Sequence, residues 1–360
     1  MITFKQFLKE SNVQSEWDIT RFPPPSFKDP SKDPEMVWYE FAKEKVIQEF
    51  GKERFDQLVK GKNVLFRGFK DSIPIGKISV IDSTNARRMS RDTNNIYQLM
   101  MARSQDLKHI PDRGNSFICS TDQEKADRFG KLYAVIPYPS VKDFGYVYAA
   151  DMFEARIKMG DLAPQWDSIS VETLSRLMGY VIHLVGGGDL QKNYRFDDAD
   201  SLDIEFGNVT SDVMGILWAS CFIRPSTLEL IASATSLEEQ DKEAIEDVAK
   251  MVRNIIDHQL FPRPAEAVRI AKAALKTLNK PEVQKIPKVD LIIRCAEAAT
   301  KLHAKDTDAF FTNLSTKIFS RDDERGSTVM HAEKISDIPE NVECWFSGKC
   351  MVVDYMLIKD

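Results

Sequence analysis

Apolar residues recur at intervals of three or four over long parts of the chain, which is the spacing of one face of an α-helix. Residues 35–60 show this pattern, and so do residues 236–319, where prolines separate successive helices. A further helix is predicted to begin at Ser170 and to end at the three glycines 186–188. The pattern therefore predicts a large helical block in the second half of the chain.

Short apolar runs bounded by turn residues predict β-strands in the remaining segments. They lie at residues 63–68, 116–120, 132–137 and 342–358. The run LYAVIP at 132–137 is almost continuously apolar, as expected of a strand that is buried on both faces. Because strands flank the helical block, the sequence favours one α+β domain with a helical insertion, or two such domains with the last strands returning to the first.

The same patterns suggest where the chain divides. Residues 1–10 form an amphipathic helix, since Thr3 and Gln6 match a capping box and apolar residues share one face. The predicted segments are a leader helix at 1–10, a proline-rich strap or linker at 11–34, an α+β domain at 35–225, a helical insertion or subdomain at 226–325, and C-terminal strands at 326–360 that return to the α+β domain.

Composition excludes several classes of protein. Of the 360 residues, 43% are apolar and 29% are charged, as is typical of globular domains. The net charge of −6 argues against an extensive nucleic-acid footprint, and no apolar run approaches the length of a membrane span. The five cysteines and five histidines are scattered without metal-ligand spacing, so we expect no metal site and no disulfide scaffold.

Candidate chemistry lies at the ends of three predicted strands. Arg67 and Gly68 close one strand, Ser120 and Thr121 close a second, and Glu343 lies at the start of the final strand pair. Together, in this chain order, these residues resemble the arginine–serine–glutamate motif of mono-ADP-ribosyltransferases. The resemblance implies an α+β fold with a split, antiparallel-rich sheet that holds NAD, and it makes the all-helical block an insertion.

The resemblance covers residues near 60–150 and 335–357, and it also implies roles for the matched residues. Arg67, Gly68, Ser120 and Thr121 would bind NAD, which is a substrate here, and Arg67, Ser120 and Glu343 would form the catalytic set. A planar guanidinium matches a pyrophosphate or ribose better than an ammonium does. Cleavage of the nicotinamide–ribose bond develops positive charge on the ribose, and a fixed carboxylate beside it stabilises that charge.

One position departs from the family pattern. Members usually carry glutamate or glutamine two residues before the catalytic glutamate, and this chain has Asn341 there. Asparagine can hydrogen-bond an acceptor nucleophile but cannot take its proton, so modification of arginine is in doubt. A competing assignment for the catalytic residue is Glu205, in the run Asp-Ile-Glu. We favour Glu343 because the apolar, strand-like sequence after it is similar to the closing strands of the family.

A second resemblance concerns the source of the chain. Residues 1–10 (MITFKQFLKE) are similar to the opening of many proteins of tailed bacteriophages related to the T4 group, in which such a leader directs packaging into the prohead. Residues 115–139, together with Arg91, Asp92 and Thr93, are similar to phage proteins of the transferase fold. The resemblance implies a protein of the phage virion, of the host bacterial cytoplasm, or of both.

Two functions from different classes follow from these resemblances. The first is a phage mono-ADP-ribosyltransferase that moves ADP-ribose from NAD to a host macromolecule, with a host protein as the expected acceptor. The alternative is a catalytically inactive structural or interaction protein that retains the fold and contacts other virion proteins. A third hypothesis is an inhibitor of host defence that binds NAD-related ligands or ADP-ribosylated nucleic acid without transferring anything, and no residue in the sequence selects it. Neither main hypothesis involves a membrane.

Overall fold

The chain is a mixed α/β protein with a large antiparallel sheet and several helices. The computed structural model describes residues 18–26, 31, 33–70, 73, 75–84, 96–164, 166, 168–186, 211–258, 264–302, 307–319 and 328–359. It has two compact units. The first contains the described residues within 1–91, 108–155 and 328–360, and the second contains those within 92–107 and 156–327.

A nine-stranded sheet forms the centre of the first unit. Its strands are β1 (Asp18–Arg21), β2 (Leu65–Phe69), β3 (Ile78–Asp82), β4 (Phe117–Ser120), β5 (Lys131–Pro137), β6 (Phe144–Val147), β9 (Met330–Ala332), β10 (Glu343–Phe346) and β11 (Lys349–Asp354); β7 (Arg156–Ile157) and β8 (Ile169–Ser170) form a separate pair in the second unit. The order across the sheet is β1-β3-β11-β5-β2-β4-β10-β6-β9, and the registered pairs are antiparallel.

The strands predicted from the sequence all contribute to this sheet. The last two, β10 and β11, join it at separate places, since β10 lies between β4 and β6 whereas β11 lies between β3 and β5. The predicted strap also contributes, because residues 18–21 within it form the edge strand β1, which pairs with β3. The predicted leader at 1–10 lies outside the described residues.

Both faces of the sheet are covered by apolar side chains. We call one face the Phe69 face, whose cluster includes Leu65, Phe69, Phe117, Cys119, Tyr133, Val135, Cys344 and Phe346. The other is the Phe66 face, whose cluster includes Phe66, Leu132, Ala134, Ile136, Met351 and Val353. Side chains of β5 enter both clusters in alternation, which explains why its sequence is continuously apolar.

The helices divide between the two units. They are α1 (Pro34–Phe50), α2 (Lys52–Val59), α3 (Ile96–Arg103), α4 (Gln123–Asp127), α5 (Val171–Gly186), α6 (Ser211–Phe222), α7 (Pro225–Ala232), α8 (Glu239–His258), α9 (Pro264–Leu278), α10 (Pro281–Gln284), α11 (Val289–Thr300) and α12 (Thr307–Ile318). Helices α1, α2 and α4 belong to the first unit, and their buried residues, among them Val46, Leu58 and Ala126, join the Phe66-face cluster. None of the described helices is both long enough and apolar enough to cross a bilayer.

The second unit is largely helical. Trp218 on α6 and Cys295 on α11 are buried, and both donate hydrogen bonds to the carbonyl of Leu162. The unit takes in the chain from residue 156, whereas the sequence predicts a boundary near residue 226. The difference arises because α5 and α6 pack against the later helices α8 and α9.

Candidate functional site

The sheet places the three predicted catalytic residues on consecutive strands. Arg67 lies on β2, Ser120 ends β4 and Glu343 begins β10. Ser120 is paired with Glu343 on one side and with Phe66 on the other. Within these strands, β2 is in register with β5 from Leu65 to Phe69 but with β4 only at the Phe66–Ser120 pair, so the sheet is least continuous between β2 and β4.

The three side chains do not leave the sheet on the same face. Successive residues of a strand alternate between faces, and directly paired residues share one. Arg67 is two residues from Phe69 and therefore leaves β2 on the Phe69 face. Ser120 is paired with both Phe66 and Glu343, so its side chain and that of Glu343 leave on the Phe66 face. The guanidinium and the carboxylate thus start from opposite faces of the sheet.

The guanidinium of Arg67 bridges β2 and β4 where their backbone pairing is limited. Its Nη1 donates to the backbone carbonyl of Ile118 on β4 at 2.8 Å, and its Cζ lies 5.9 Å from the centre of the Phe69 ring. Burial lowers the pKa of Arg67, while electrostatic interactions with Cys119 and Glu343 act in the opposite direction. Arg67 and Glu343 therefore interact electrostatically although they start from different faces.

Glu343 forms a buried ion pair with Arg113. The Nε and Nη2 atoms of Arg113 each lie 2.8 Å from Oε1 of Glu343, and both residues are buried, at 7% and 8% exposure. The backbone N–H of Met152 donates to the other carboxylate oxygen, Oε2, at 3.2 Å. Burying a carboxylate is costly unless it is paired and hydrogen-bonded. Glu343 meets that requirement with partners on both oxygens.

Local structure before β4 fixes the position of Arg113. This residue begins a 3₁₀ turn, Arg113–Asn115, whose N-cap residue Asp112 accepts a hydrogen bond from the N–H of Gly114 at 2.9 Å. The hydroxyl of Ser116 donates to the carbonyl of Asp112 at 2.7 Å, which closes the turn just before β4 begins. Arg113 is therefore held by a capped turn next to a central strand.

An indole also ties this segment to β10. Nε1 of Trp345 donates to the carbonyl of Pro111 at 2.7 Å. A Cβ atom on Gly145 would lie only 2.3 Å from the Trp345 ring, so the indole packs directly on the backbone of β6. Glu343 and Trp345 are two residues apart on β10, so their side chains lie on the same face of the sheet, the Phe66 face. The segment that contains Pro111 and Arg113 thus contacts β10 at both Glu343 and Trp345.

Ser120 and Thr121 are engaged with the backbone that leads into β10. The Ser120 hydroxyl donates to the carbonyl of Val342 at 3.2 Å and accepts the N–H of Asp122 at 2.9 Å. The Thr121 hydroxyl donates to the carbonyl of Pro339 at 2.9 Å and accepts the N–H of Val342 at 3.0 Å. These bonds join the end of β4 to the start of β10.

Asn341, the residue two positions before Glu343, lies in the turn into β10. Its φ is +59°, in the left-handed region that asparagine adopts more readily than glutamate or glutamine does. The structure therefore supplies a backbone reason for asparagine at this position.

Gly68 allows a close approach of the chain that follows β4. A Cβ atom at Gly68 would lie 2.2 Å from the carbonyl oxygen of Ala126 and 3.0 Å from the backbone of Phe129 and Gly130. Helix α4 and the turn after it therefore occupy the space next to this glycine on the Phe66 face. Packing within the fold explains why residue 68 is glycine.

Asp151 is a second carboxyl group in the surroundings of Glu343. It precedes the 3₁₀ turn Met152–Glu154, and its Oδ1 accepts the N–H of Phe153 at 2.9 Å. Burial raises the pKa of Asp151, the Phe153 N–H lowers it, and the negative charge of Glu343 raises it further. A carboxyl group with a raised pKa therefore lies in the surroundings of one that is ion-paired.

Sequence reasoning did not find Arg113, Asp151 or the Met152 N–H. Each lies in a short turn segment with no periodicity, and the contacts of Arg113 and Met152 with Glu343 join stretches of chain that are 230 and 191 residues apart. The available signal was local. Asp112-Arg113-Gly114-Asn115 has the composition of a capped turn directly before a predicted strand, so it placed a charged side chain at the edge of the proposed site.

The assembled cluster has the groups needed for chemistry at a sugar carbon. On the Phe66 face, the ion-paired carboxylate of Glu343, together with the second carboxyl group of Asp151 in its surroundings, suits a reaction that develops positive charge, whereas Arg67 starts from the other face. Within the described residues, no group of three or more histidine, cysteine, aspartate or glutamate side chains could hold a metal ion. The competing catalytic residue, Glu205, lies outside the described residues.

Comparisons with known proteins identify no relative of this chain, since no protein-family model, no curated protein and no solved structure matches it.

Proposed function

We propose that the first unit is a mono-ADP-ribosyltransferase domain that transfers ADP-ribose from NAD to a host protein. One observation carries this proposal: Arg67, Ser120 and Glu343 lie on three consecutive strands, and β2 and β4 are paired only at the Phe66–Ser120 position. Such an arrangement agrees with the split sheet implied by the resemblance. The proposed enzyme is of phage origin and acts in the host cytoplasm, either made there or delivered with the virion.

In the proposed reaction, the bond between the ribose C1′ and the nicotinamide nitrogen breaks, and nicotinamide leaves as a neutral molecule. An acceptor nucleophile forms the new bond to C1′ and loses its proton to water. Oε2 of Glu343 accepts one N–H from Met152 and has capacity for a second donor, such as a ribose hydroxyl. The carboxylate then stabilises the positive charge that develops on the ribose, and it does so most strongly in the transition state.

The test is loss of activity in Glu343→Gln, which keeps the size of the side chain and removes its charge. We expect the release of nicotinamide from NAD, and the labelling of host lysate by labelled NAD, to fall by about 100-fold or more. The matched control is Glu340→Gln, because Glu340 is exposed and lies three residues earlier. The proposal is wrong if Glu343→Gln folds normally and labels lysate as the parent does.

The inactive alternative is favoured by a specific observation. Glu343 is 8% exposed and paired with Arg113, and Asn341 offers no carboxylate to an acceptor. A protein that kept the fold for assembly would tolerate this burial. Calorimetry with millimolar NAD, combined with a count of copies per particle, separates the two functions. Absence of NAD binding with stoichiometric copies in virions supports the structural role.

A further inference from the structure

Ser120 and Arg113 are the two residues that could fix the position of the Glu343 carboxylate. In the described contacts, the Ser120 hydroxyl bonds the Val342 carbonyl and the Asp122 N–H, whereas the Glu343 carboxylate is bonded by Arg113 and Met152. We infer that Arg113 is the positioning residue that orients Glu343 so that its carboxylate can stabilise the positive charge that develops on the ribose of NAD. This inference rests on the proposed function, and it names a residue outside the arginine–serine–glutamate set.

The contact geometry fixes the carboxylate in two respects. Nε and Nη2 of Arg113 both approach Oε1 at 2.8 Å, so one edge of the guanidinium holds that oxygen. The Met152 N–H holds Oε2 at 3.2 Å, which prevents rotation of the carboxylate about its last bond. A donor from a substrate hydroxyl can then meet Oε2 in one defined direction.

Arg113 is itself held in a fixed position, so it can fix the orientation of the Glu343 carboxylate. Its turn is closed by Asp112 and Ser116, and the segment is anchored by the bond from Trp345 to Pro111. Because reaction rates fall about 100-fold when a catalytic group is misplaced by roughly 1 Å, such anchoring has a measurable consequence. Substitution of Arg113 should therefore alter the catalytic step more than the binding of NAD.

The experiment compares Arg113→Met and Arg113→Lys in the full chain, with release of nicotinamide from NAD as the readout. We expect Arg113→Met to lower kcat by about 100-fold with little change in KM for NAD. Arg113→Lys should recover part of the loss, because an ammonium restores the charge but not the two-atom contact. The control pair is Arg54→Met and Arg54→Lys, because Arg54 bonds the carbonyl of Asn63 away from the cluster.

A thermal cycle tests the ion pair without NAD. Arg113→Met leaves a buried carboxylate without its cation, so the double variant Arg113→Met/Glu343→Gln should melt at a higher temperature than Arg113→Met alone. If the decrease in melting temperature of the double variant equals the sum of the decreases in the two single variants, the pairing of Arg113 with Glu343 is overturned. If Arg113→Met fails to fold, Arg113→Lys serves as the kinetic variant, and a reduced kcat at an unchanged melting temperature supports positioning.

The outcomes separate this inference from the function beneath it. A parent that releases no nicotinamide overturns the transferase proposal, and Arg113 is then a structural residue. A parent that is active, with an Arg113→Met variant that keeps the parental kcat, overturns the positioning role and leaves the transferase proposal standing.

Discussion

Two carboxyl groups near one guanidinium differ because of their immediate partners. Glu343 has Arg113 on one oxygen and a backbone N–H on the other. Asp151 is also partly buried, and its Oδ1 caps a turn, but burial and the charge of Glu343 raise its pKa. The Glu343 carboxylate is therefore held by a cation, whereas Asp151 is held by its own turn. At the scale of single residues, burial and pairing thus distinguish the two groups.

The raised pKa of Asp151 predicts a pH dependence of stability. Between the unfolded value, 3.8, and the raised native value, the native state binds more protons, so stability falls as pH rises through that interval. Asp151→Asn removes the charge and keeps an oxygen for the Phe153 N–H. We expect this variant to be more stable than the parent at neutral pH and to lose that advantage by about pH 3.

Urea unfolding at several pH values measures this difference for Asp151→Asn. Asp127→Asn is the matched control, because Asp127 is exposed on α4. Equal stability of parent and Asp151→Asn at neutral pH would show that the carboxyl group pays no burial penalty.

Gly68 gives a second prediction at this scale. A Cβ there would lie 2.2 Å from the Ala126 carbonyl oxygen, and backbone atoms must move to admit it. We expect Gly68→Ala to lower the free energy of unfolding by about 3 kcal/mol. Gly76→Ala, with φ of +77° but open space around the added carbon, should cost only about 1 kcal/mol. If the two variants lose similar amounts of unfolding free energy, then α4 moves away from the added carbon at little energetic cost.

At the scale of elements, local patterns predict the strands well and the contacts of polar segments poorly. The strands near Arg67, Ser120 and Glu343 have apolar runs with turn residues at their ends, so their existence follows from short stretches of sequence. Their neighbourhood in the sheet was an expectation from resemblance. The ion pair between Arg113 and Glu343 joins a turn to a strand 230 residues later, and no periodicity encodes such a contact.

The segment before β4 can be tested as an element. Trp345→Phe removes the donor to Pro111, leaves that carbonyl without the indole and opens space beside Gly145. We expect a loss of about 2 kcal/mol in unfolding free energy and faster amide hydrogen exchange at residues 112–116. Trp38→Phe, on α1, is the control and should leave exchange in that segment unchanged. Unaltered exchange in Trp345→Phe would show that the capped turn holds itself in place.

At the scale of the whole molecule, the chain passes between its two units several times. The first unit is assembled from three stretches of sequence, and the last of them supplies β9, β10 and β11. Glu343 can meet Arg113 only after the chain has left the second unit, so the candidate site depends on contacts between distant parts of the sequence. Completion of the site should therefore accompany folding of the first unit as a whole.

The five cysteines report on the two units separately. All are buried as free thiols, with Cys119, Cys344 and Cys350 in the first unit and Cys221 and Cys295 in the second. Burial raises the pKa of the thiols of four of them, Cys221, Cys295, Cys344 and Cys350, and the pKa of Cys295 is raised to about 12. Because the thiolate is the reactive form, the native protein should react slowly with a thiol reagent at pH 8.

As the urea concentration increases, the thiols should become accessible to the reagent in two groups, three when the first unit unfolds and two when the second unit unfolds. Mass spectrometry after brief labelling at each urea concentration identifies which cysteines react. If Glu343→Gln or Arg113→Met weakens the first unit, the three thiols of that unit should appear at lower urea, while the other two keep the parental midpoint. Rapid labelling of any cysteine in the native protein would contradict the burial, and simultaneous release of all five would mean that the two units unfold as one cooperative system.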